Sequence, residues 1–313
     1  MSATVPSTAS LQGAVRLADW GVIRAAGDEA VAFLQGQLTQ DLLNLGAEQA
    51  RLAGYCSAKG RLLASFVVWQ RSPNELLLAC SADLLPATLK RLSMFVLRAK
   101  CKLSDASAEL PLYGLAGDAA VEALGADAPP SAWRRKTRGE ADVIRLPDAA
   151  GVPRFLWAGA DAPALPALAP EAWRWLEVQS GVARIVAATA EQFVPQMVNL
   201  EVVGGVNFQK GCYPGQEIVA RSQYRGTLKR RAFLFDSDGA AASGQELFAS
   251  SDPGQPAGMV AGAAAAPDGS GRYSVLAETK LAALDEGISL HVGSLAGPRL
   301  TASALPYALP SEA

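Results

Sequence analysis

The chain has 313 residues, half of them apolar, which is enough for two or three domains with sizeable cores. Its formal net charge is −2, which argues against a general nucleic-acid binder, so any RNA contact would have to come from a local patch. His291 is the single histidine of the sequence. This argues against a histidine-rich metal site, a Ser-His-Asp triad and a Cys-His dyad.

The four cysteines are few and scattered, which is typical of a protein from the reducing cytosol. No Cys-x-x-Cys pair occurs, so their spacing matches neither a zinc site nor a four-thiolate iron–sulfur site. Residues 1–12 lack the basic and apolar regions of a signal peptide, and no apolar run reaches the ~18 residues of a membrane span. We therefore expect a cytoplasmic protein with no membrane segment.

The first hundred residues predict one α+β unit. Apolar runs alternate with two helical patterns in a β-α-β-β-β-α-β order, which is typical of helices on one face of a largely antiparallel sheet. We assign residues 14–105 to this first lobe and residues 1–13 to a disordered N-terminus. The predicted elements are strands at 17–24, 51–55, 62–70, 75–80 and 100–103, and helical segments at 29–36, 38–45 and 82–98.

A similar order restarts at residue 110, which indicates an approximate internal duplication. Its predicted strands are at 110–114, 143–146 and 154–157, and its helices are at 118–124 and 171–181. We assign residues 106–231 to this second lobe. Beyond it, short apolar runs separated by Gly/Asp/Pro turns predict a small antiparallel β-barrel at 232–305, followed by a frayed tail at 306–313.

The most informative stretch is Lys-Gly-Cys-Tyr-Pro-Gly-Gln-Glu at residues 210–217. Two glycines and a proline predict a tight, irregular loop around Cys212, and a helix begins after it. A thiol just ahead of a helix N-terminus, two residues from a lysine, favours the reactive thiolate form.

The same region is locally cationic. Glu217 is its one acidic residue, which suits an anionic ligand such as a glutamate tail, a phosphate or an RNA backbone. The plainer interpretation is a solvated helix face with a chance cysteine. The basic residues are Lys210, Arg221, Arg225, Lys229, Arg230 and Arg231.

The 210–217 string resembles the signature of the YgfZ-type folate-binding proteins. These are bacterial relatives of a mitochondrial iron–sulfur assembly factor, and both resemble the T-protein (aminomethyltransferase) of the glycine cleavage system. The match extends over residues 193–200, 204–208, 218–221 and 224–226, and residues 33–41 and 55–62 resemble first-lobe motifs. The resemblance implies two folate-binding α+β lobes with ferredoxin-like elements plus a C-terminal barrel, in a ring around a central hole that holds folate.

The resemblance also implies site residues. Trp20 and Trp173 match the tryptophans that line the folate site. In T-protein-like relatives a glutamate two residues before the counterpart of Gly181 holds the pterin; here that position is Gln179, which cannot form a charge-assisted bond. Glu177 is expected to face elsewhere. The remaining motif residues implied are Lys210, Gly211, Cys212, Tyr213, Gly215, Gln216, Glu217, Arg221 and Arg225.

The function implied is that of a folate-binding accessory protein. It would bind tetrahydrofolate or a one-carbon derivative and support assembly or repair of iron–sulfur enzymes, including tRNA-modifying ones. Cys212 would be the functional thiol or a transient ligand to an iron–sulfur cluster, and the expected partners are assembly or client proteins rather than nucleic acid. Cys212 has no histidine base nearby, and the T-protein's catalytic aspartate has no clear counterpart, which argues against an enzyme. Two alternatives stay open: a folate-dependent one-carbon transferase or demethylase, and a tRNA- or protein-binding module.

Overall fold

The computed structural model describes residues 8–224 and 228–310. Within them the chain forms two five-stranded antiparallel sheets and a closed six-stranded barrel. The strands are β1 (Gly13–Arg16), β2 (Trp20–Ala26), β3 (Ala50–Cys56), β4 (Leu62–Ser72), β5 (Glu75–Ser81), β6 (Lys102–Asp105), β7 (Leu112–Ala116), β8 (Arg135–Arg138), β9 (Ala141–Ala149), β10 (Val152–Ala158), β11 (Arg230–Ser237), β12 (Glu246–Ala249), β13 (Asp252–Ala265), β14 (Tyr273–Lys280), β15 (Leu290–Val292) and β16 (Arg299–Ser303). The α-helices are α1 (Ala30–Gln35), α2 (Leu85–Val96), α3 (Asp118–Leu124), α4 (Pro170–Gln179) and α5 (Gln216–Tyr224).

The first sheet has the order β3-β4-β5-β2-β6, with α1 following β2 and α2 following β5. Its central strands are buried along most of their length, because the helices cover one face and the rest of the molecule covers the other. This agrees with the α+β lobe predicted from the sequence.

The second sheet repeats that order with one substitution. Its strands run β8-β9-β10-β7-β1, so β8, β9, β10 and β7 take the positions of β3, β4, β5 and β2. The position of β6 is filled by β1, which pairs antiparallel with β7 from Gly13↔Ala116 to Arg16↔Tyr113. The shared strand order supports an internal duplication.

The strand exchange corrects the predicted boundaries. All of β1 except Gly13 lies in the segment assigned to the first lobe, but the strand completes the second sheet, which has no strand after α4 among the described residues. The disorder predicted for residues 1–13 is wrong for residues 8–13, since a 3₁₀ turn at Thr8–Leu11 precedes β1 and Leu11 is fully buried. The rest of that prediction lies outside the described residues.

The C-terminal barrel closes in the order β11-β14-β13-β12-β15-β16 and has its own core. It begins at Arg230, within the predicted second lobe. The predicted fraying of the tail is wrong for Tyr307, whose hydroxyl donates to the Gly181 carbonyl at 2.7 Å. Residues 311–313 lie outside the described part of the chain.

Two local predictions need correction. Residues 38–45 form turns rather than a helix, because Thr39 donates its backbone N–H to Gly54 of β3 and Leu38 bridges to Tyr55. These backbone contacts outweigh the helical pattern. β8 was missed because Arg-Lys-Thr-Arg carries no apolar alternation.

The two lobes join at the edges of their sheets. Ala50 donates its backbone N–H to Trp133 at 2.8 Å, and Trp69 Nε1 of the first lobe donates to Asp142 Oδ2 of the second at 2.9 Å. Arg135 Nε donates to the other oxygen of that carboxylate at 2.9 Å, so the buried charge is paired. No helix among the described residues is both long and apolar enough to cross a membrane.

Candidate functional site

A small cavity of about 50 Å³ lies between the two sheets and the segment that follows α4. Strands of both lobes contribute to its wall, so the duplicated architecture itself creates the space. The lining is mostly apolar, with one carboxylate and two guanidinium groups among its polar members. The lining residues are Trp20, Leu52, Ser65, Phe66, Val67, Trp133, Leu146, Pro147, Arg154, Glu177, Ser180, Val182, Ala183 and Arg184.

Trp20, Glu177 and Arg184 form a connected group on this wall. Trp20 Nε1 donates to Glu177 Oε1 at 3.1 Å, and the Arg184 guanidinium lies 4.8 Å from the centroid of the Trp20 ring. Arg184 is held by Asp19, donating to its Oδ2 at 2.6 Å and to its backbone oxygen at 2.9 Å. The second oxygen of Glu177 is 3.7 Å from Arg184 Nη2. One indole face and one carboxylate are therefore positioned together at the cavity.

Burial governs the charges of this group. It raises the pKa of the Glu177 carboxyl above its ordinary value; the nearby Asp19 acts in the same direction, whereas Arg184 and Arg154 act against it. Burial also lowers the pKa of the Arg154 guanidinium to about 10. Arg154 Nε and Nη2 both donate to the Pro147 carbonyl, at 3.0 and 2.9 Å. A polar ligand that forms hydrogen bonds with the Glu177 carboxylate would compensate for the unfavourable burial of this charge.

Two wider openings share wall residues with this cavity. One, of about 660 Å³, shares Trp133, Pro147, Ser180 and Val182 and reaches the docked C-terminal segment. The other, of about 100 Å³, lies between α4 and the barrel and includes the exposed Arg174. The shared residues make the three spaces neighbours around the segment after α4.

The structure places Gln179, a folate-site residue implied by the resemblance, away from this cavity, and it places Glu177 on the cavity wall. Gln179 Nε2 donates to Ser274 Oγ of the barrel at 2.8 Å, and Gln179 is not among the residues that line the cavity. Glu177, which was expected to face elsewhere, lines it. The physical reason is the helix period: residues two apart on α4 point about 200° apart.

Trp173, the second tryptophan implied by the resemblance, also lies away from this cavity. It is 2% exposed and does not line the cavity; its ring packs on Gly114 and on the Arg154 guanidinium, 5.4 Å from the ring centroid. Trp173 therefore packs against Arg154, which lines the cavity, without lining the cavity itself. The helix spacing offered a signal for Glu177, since it stands four residues after Trp173 and so shares its side of α4, whereas Gln179 does not. Arg184 has no comparable sequence signal.

The loop of residues 207–215 is anchored to the first lobe through Lys210. Lys210 Nζ donates to the backbone carbonyls of Gln35 and of Leu38, the latter at 2.7 Å, and lies 4.9 Å from the Tyr213 ring centroid. Burial lowers the pKa of this amine to about 8, against the opposing effects of Asp41 and Cys212. Lys210 therefore holds the loop in place rather than presenting its charge to solvent.

Gly215 fixes the other end of the loop. Its φ is +78°, and a Cβ placed there would lie 2.4 Å from the Ser57 carbonyl oxygen and 2.6 Å from Gly60 Cα. Residues 57–60 are the turn between β3 and β4, the hairpin whose middle supplies Leu52 and Ser65 to the cavity wall. One hairpin therefore contacts both the loop and the cavity, which are separated along β4 by roughly 10 Å.

We expect Gly215→Ala to destabilise the protein by about 2 kcal/mol, because the methyl group meets backbone atoms and the residue has a positive φ. Gly211→Ala is the matched control in the same loop, since nothing lies within 4 Å of a Cβ at that position. Urea denaturation of both variants measures the difference. Equal stability of the two variants would contradict the packing described for Gly215.

Cys212 is the exposed member of the four cysteines, whereas Cys56 and Cys80 are buried. Burial raises the pKa of both buried thiols to about 12, which keeps them protonated. Cys212 precedes α5 by four residues, and Gln216 and Glu217 form the first turn of this helix as predicted. Cys212 does not line the cavity with Trp20. The thiol and the cavity thus occupy separate positions linked by the β3–β4 hairpin.

The cationic window is smaller than the sequence suggests. Arg230 pairs with Glu278 of the barrel, and Arg231 Nη1 donates to Glu201 Oε1 at 2.8 Å. Both arginines therefore serve the junction with the barrel. Arg221 is exposed on α5, and Arg225 lies outside the described residues. Among the described residues there is no group of three or more His, Cys, Asp or Glu side chains that could hold a metal ion.

Comparison with known proteins identifies relatives over most of the chain. It is 38% identical over 239 residues to the tRNA-modifying protein YgfZ of Edwardsiella ictaluri, covering 70% of this chain and 69% of the relative. It is 30% identical over 315 residues to the protein of the same name from Serratia proteamaculans, covering 95% and 93%. No protein-family model matches the chain.

A solved structure shares the fold. The glycine cleavage system aminomethyltransferase T from Bartonella henselae superposes with a TM-score of 0.65 at 16% identity, covering 95% of this chain and 86% of that one. At this identity the likeness concerns the fold alone.

Proposed function

The chain belongs to the YgfZ family, and on that premise we propose that it is a folate-binding accessory protein that supports assembly or repair of iron–sulfur enzymes, including tRNA-modifying ones. The relatives' name, tRNA-modifying protein, supports a role connected with tRNA modification. The observation that carries the folate part is the pairing of the Trp20 indole with the buried Glu177 carboxylate in one cavity.

The donor set of the cavity fits a reduced folate. A pterin offers a flat ring for the Trp20 indole and an amino-pyrimidine edge whose N–H groups can donate to both oxygens of Glu177. Folate also carries an anionic glutamate tail, and the exposed Arg174 at the neighbouring opening of about 100 Å³ provides a cation for it. When bound, the folate would supply a one-carbon carrier.

The size of the inner cavity constrains how the ring enters. About 50 Å³ is less than a pterin occupies, so side chains must move. We expect Arg184 to move, because its guanidinium covers the Trp20 ring and stands at the end of a long, adaptable side chain. In this proposal the pterin replaces the guanidinium over the indole, and Asp19 continues to hold the displaced arginine.

The thiol has a separate part in the proposal. Cys212 is exposed on a loop fixed at both ends by Lys210 and Gly215, so it can meet a partner protein or a cluster without entering the folate cavity. The shared β3–β4 hairpin would let folate binding alter the position of that loop. The accessory role needs no general base beside Cys212.

Tryptophan fluorescence tests the folate cavity. Titration of wild-type protein with tetrahydrofolate under anaerobic conditions is expected to quench emission and to give saturable heat in calorimetry. Trp20→Phe keeps a flat ring but removes the bond to Glu177, and it should weaken binding about tenfold while losing most of the quenching. Trp157→Phe is the control, because this indole lies in the separate core of the second lobe and donates to Asp161. Quenching that persists in Trp20→Phe would contradict this cavity.

A further inference from the structure

An exposed apolar cluster lies at the C-terminal end of α2. Met94 is 58% exposed, Phe95 is 47% exposed, and Leu97, the first residue after the helix, is 87% exposed. Together with the neighbouring cations Lys90, Arg91 and Arg98 we call this the α2 surface. Other large exposed apolar residues, such as Leu43 and Leu295, stand apart from one another in the chain.

The helix period explains why these residues face outward. The buried residues of α2 are Leu85, Thr88 and Leu92, which repeat at intervals of three and four and pack on the first sheet. Lys90 and Met94 lie on the opposite side of α2. Phe95 follows Leu92 by three positions and stands at the edge of the buried side, yet it is half exposed, and Leu97 follows the end of the helix. Packing within the described part of the chain therefore leaves much of these three apolar side chains uncovered.

The backbone at Leu97 adds an independent observation. Its φ is 45°, a left-handed conformation that glycine adopts freely and a leucine does not. Leu97 ends α2, and the Ala99 N–H donates to the Val96 carbonyl across it at 2.8 Å, while the leucine side chain itself lies in solvent. Strain of this kind is typical of positions that contact a ligand or partner.

The electrostatics of the segment are one-sided. Residues 84–104 contain five cations and no carboxylate, in a chain whose net charge is −2. The five are Lys90, Arg91, Arg98, Lys100 and Lys102. Within the part of the chain that the structure describes, none of them forms an ion pair. Asp83 and Asp105 flank this segment, and the Glu29 carboxylate accepts the backbone N–H of Lys100 at 2.6 Å.

We propose that the α2 surface docks an acidic partner protein, which covers Met94, Phe95 and Leu97 with apolar side chains and surrounds them with carboxylates. This arrangement matches the anatomy of protein interfaces, an apolar centre within a polar rim. RNA fits less well, because two of the three apolar side chains are aliphatic and offer no ring for stacking on bases. A symmetric contact with a second copy would set the five cations against one another.

The α2 surface is connected to the loop that carries Cys212. Arg91 contacts the phenol of the buried Tyr55, and Tyr55 bridges through its backbone to Leu38. The Leu38 carbonyl in turn accepts the amine of Lys210, two residues before Cys212. A partner on the α2 surface would therefore be connected to this loop through contacts in the first lobe. The docking inference itself does not require folate binding.

Binding to a designed probe tests the inference. The probe is a fluorescein-labelled helical peptide with leucines on one face and glutamates on the other, and anisotropy measures its affinity for the full chain. We expect binding that weakens as ionic strength rises from about 0.01 to 0.15 M. Leu97→Gly should weaken it at least tenfold without lowering the melting temperature, because glycine relieves the positive φ. Leu295→Ser, an exposed leucine of the barrel, is the matched control and should bind as the wild type does.

Three outcomes would overturn the inference. Tighter binding of a single-stranded RNA of similar length, lost in Leu97→Gly, would make this an RNA surface. Tighter binding to phosphatidylglycerol vesicles with the same loss would make it a membrane contact. Peptide binding that is absent, or equal in wild type and Leu97→Gly, would remove the α2 surface as a docking site. Because folate titration does not involve these residues, its result is independent of this one.

Discussion

Glu177→Gln is expected to weaken the binding of tetrahydrofolate by about 10- to 100-fold, the range for losing a charge-assisted hydrogen bond in a buried site. Glutamine has nearly the same shape and keeps one oxygen to accept from Trp20 Nε1, so the cavity should persist. It loses the second acceptor and the negative charge that would pair with the pterin edge. Calorimetric titration of the purified variant measures the change.

Gln179→Ala is the control for this experiment. Gln179 stands on the same helix, two residues away, but its amide contacts Ser274 in the barrel rather than the cavity. Its loss should leave folate affinity within about twofold, since the removed hydrogen bond is remote from the ligand. If Gln179→Ala weakened binding and Glu177→Gln did not, the ligand would not occupy the cavity that we propose.

The pH dependence of Glu177 has a definite sign. Because burial raises the pKa of this carboxyl in the folded protein, the ionised form is less favourable there than in the unfolded chain. Its contribution favours folding below the ordinary value of 4.5 and is lost as pH rises through the folded pKa. Glu177→Gln lacks this loss, so its stability relative to wild type should increase from acidic to neutral pH. Folate binding to wild type should strengthen as pH rises over the same range, since the ionised Glu177 carboxylate is the acceptor.

The sequence predicted the parts of this fold that depend on local pattern. The strand and helix order of the first lobe, α3 at residues 118–124 and the turn-rich barrel follow from periodicity and glycine placement. The exchange of β1 into the second sheet could not be predicted this way, because an edge strand of four residues pairs with a partner almost a hundred residues away. No local pattern specifies such a pairing.

The same distinction between local pattern and long-range contacts applies to the candidate site. The sequence predicts the loop around Cys212 because its residues are contiguous. The position of this loop relative to Trp20 depends on how the β3–β4 hairpin spans the first lobe, which no local pattern specifies. Counting back two residues from Gly181 selects Gln179, whereas the four-residue spacing from Trp173 on α4 indicates Glu177. The helix period decides the direction in which a side chain points, and counting residues back from Gly181 does not take that period into account.

The arrangement gives folate and thiol different neighbours but a common support. Leu52 and Ser65 line the cavity from the middle of the β3–β4 hairpin, and the turn at its end meets Gly215. A ligand that shifts the hairpin by a few tenths of an ångström would be felt at the loop, because Gly215 approaches backbone atoms with no room for a side chain. In the proposed function, folate would therefore act on the thiol through the hairpin, without contacting it.

Cys212→Ala is expected to abolish the accessory activity while leaving the fold intact. The side chain is exposed, so its removal should change the free energy of unfolding by no more than about 0.5 kcal/mol. The wild-type protein should show one rapidly labelled thiol with a maleimide reagent, and the variant should lose that rapid phase. Cys56 and Cys80 are buried, and burial raises the pKa values of these two thiols and of the partly buried Cys101. Tetrahydrofolate affinity should not change, because Cys212 does not line the cavity.

The decisive measurement is the activity of iron–sulfur enzymes, including a tRNA-modifying one, in cells whose own copy of this gene is deleted. Wild type should restore activity, and Cys212→Ala should give less than about a tenth of it, the loss expected when the reacting atom itself is removed. Cys101→Ala is the control, because this partly buried thiol has a pKa raised by burial and lies at the start of β6. Full restoration by Cys212→Ala would show that the exposed sulfur has no chemical part, and the loop would then act only as a contact surface.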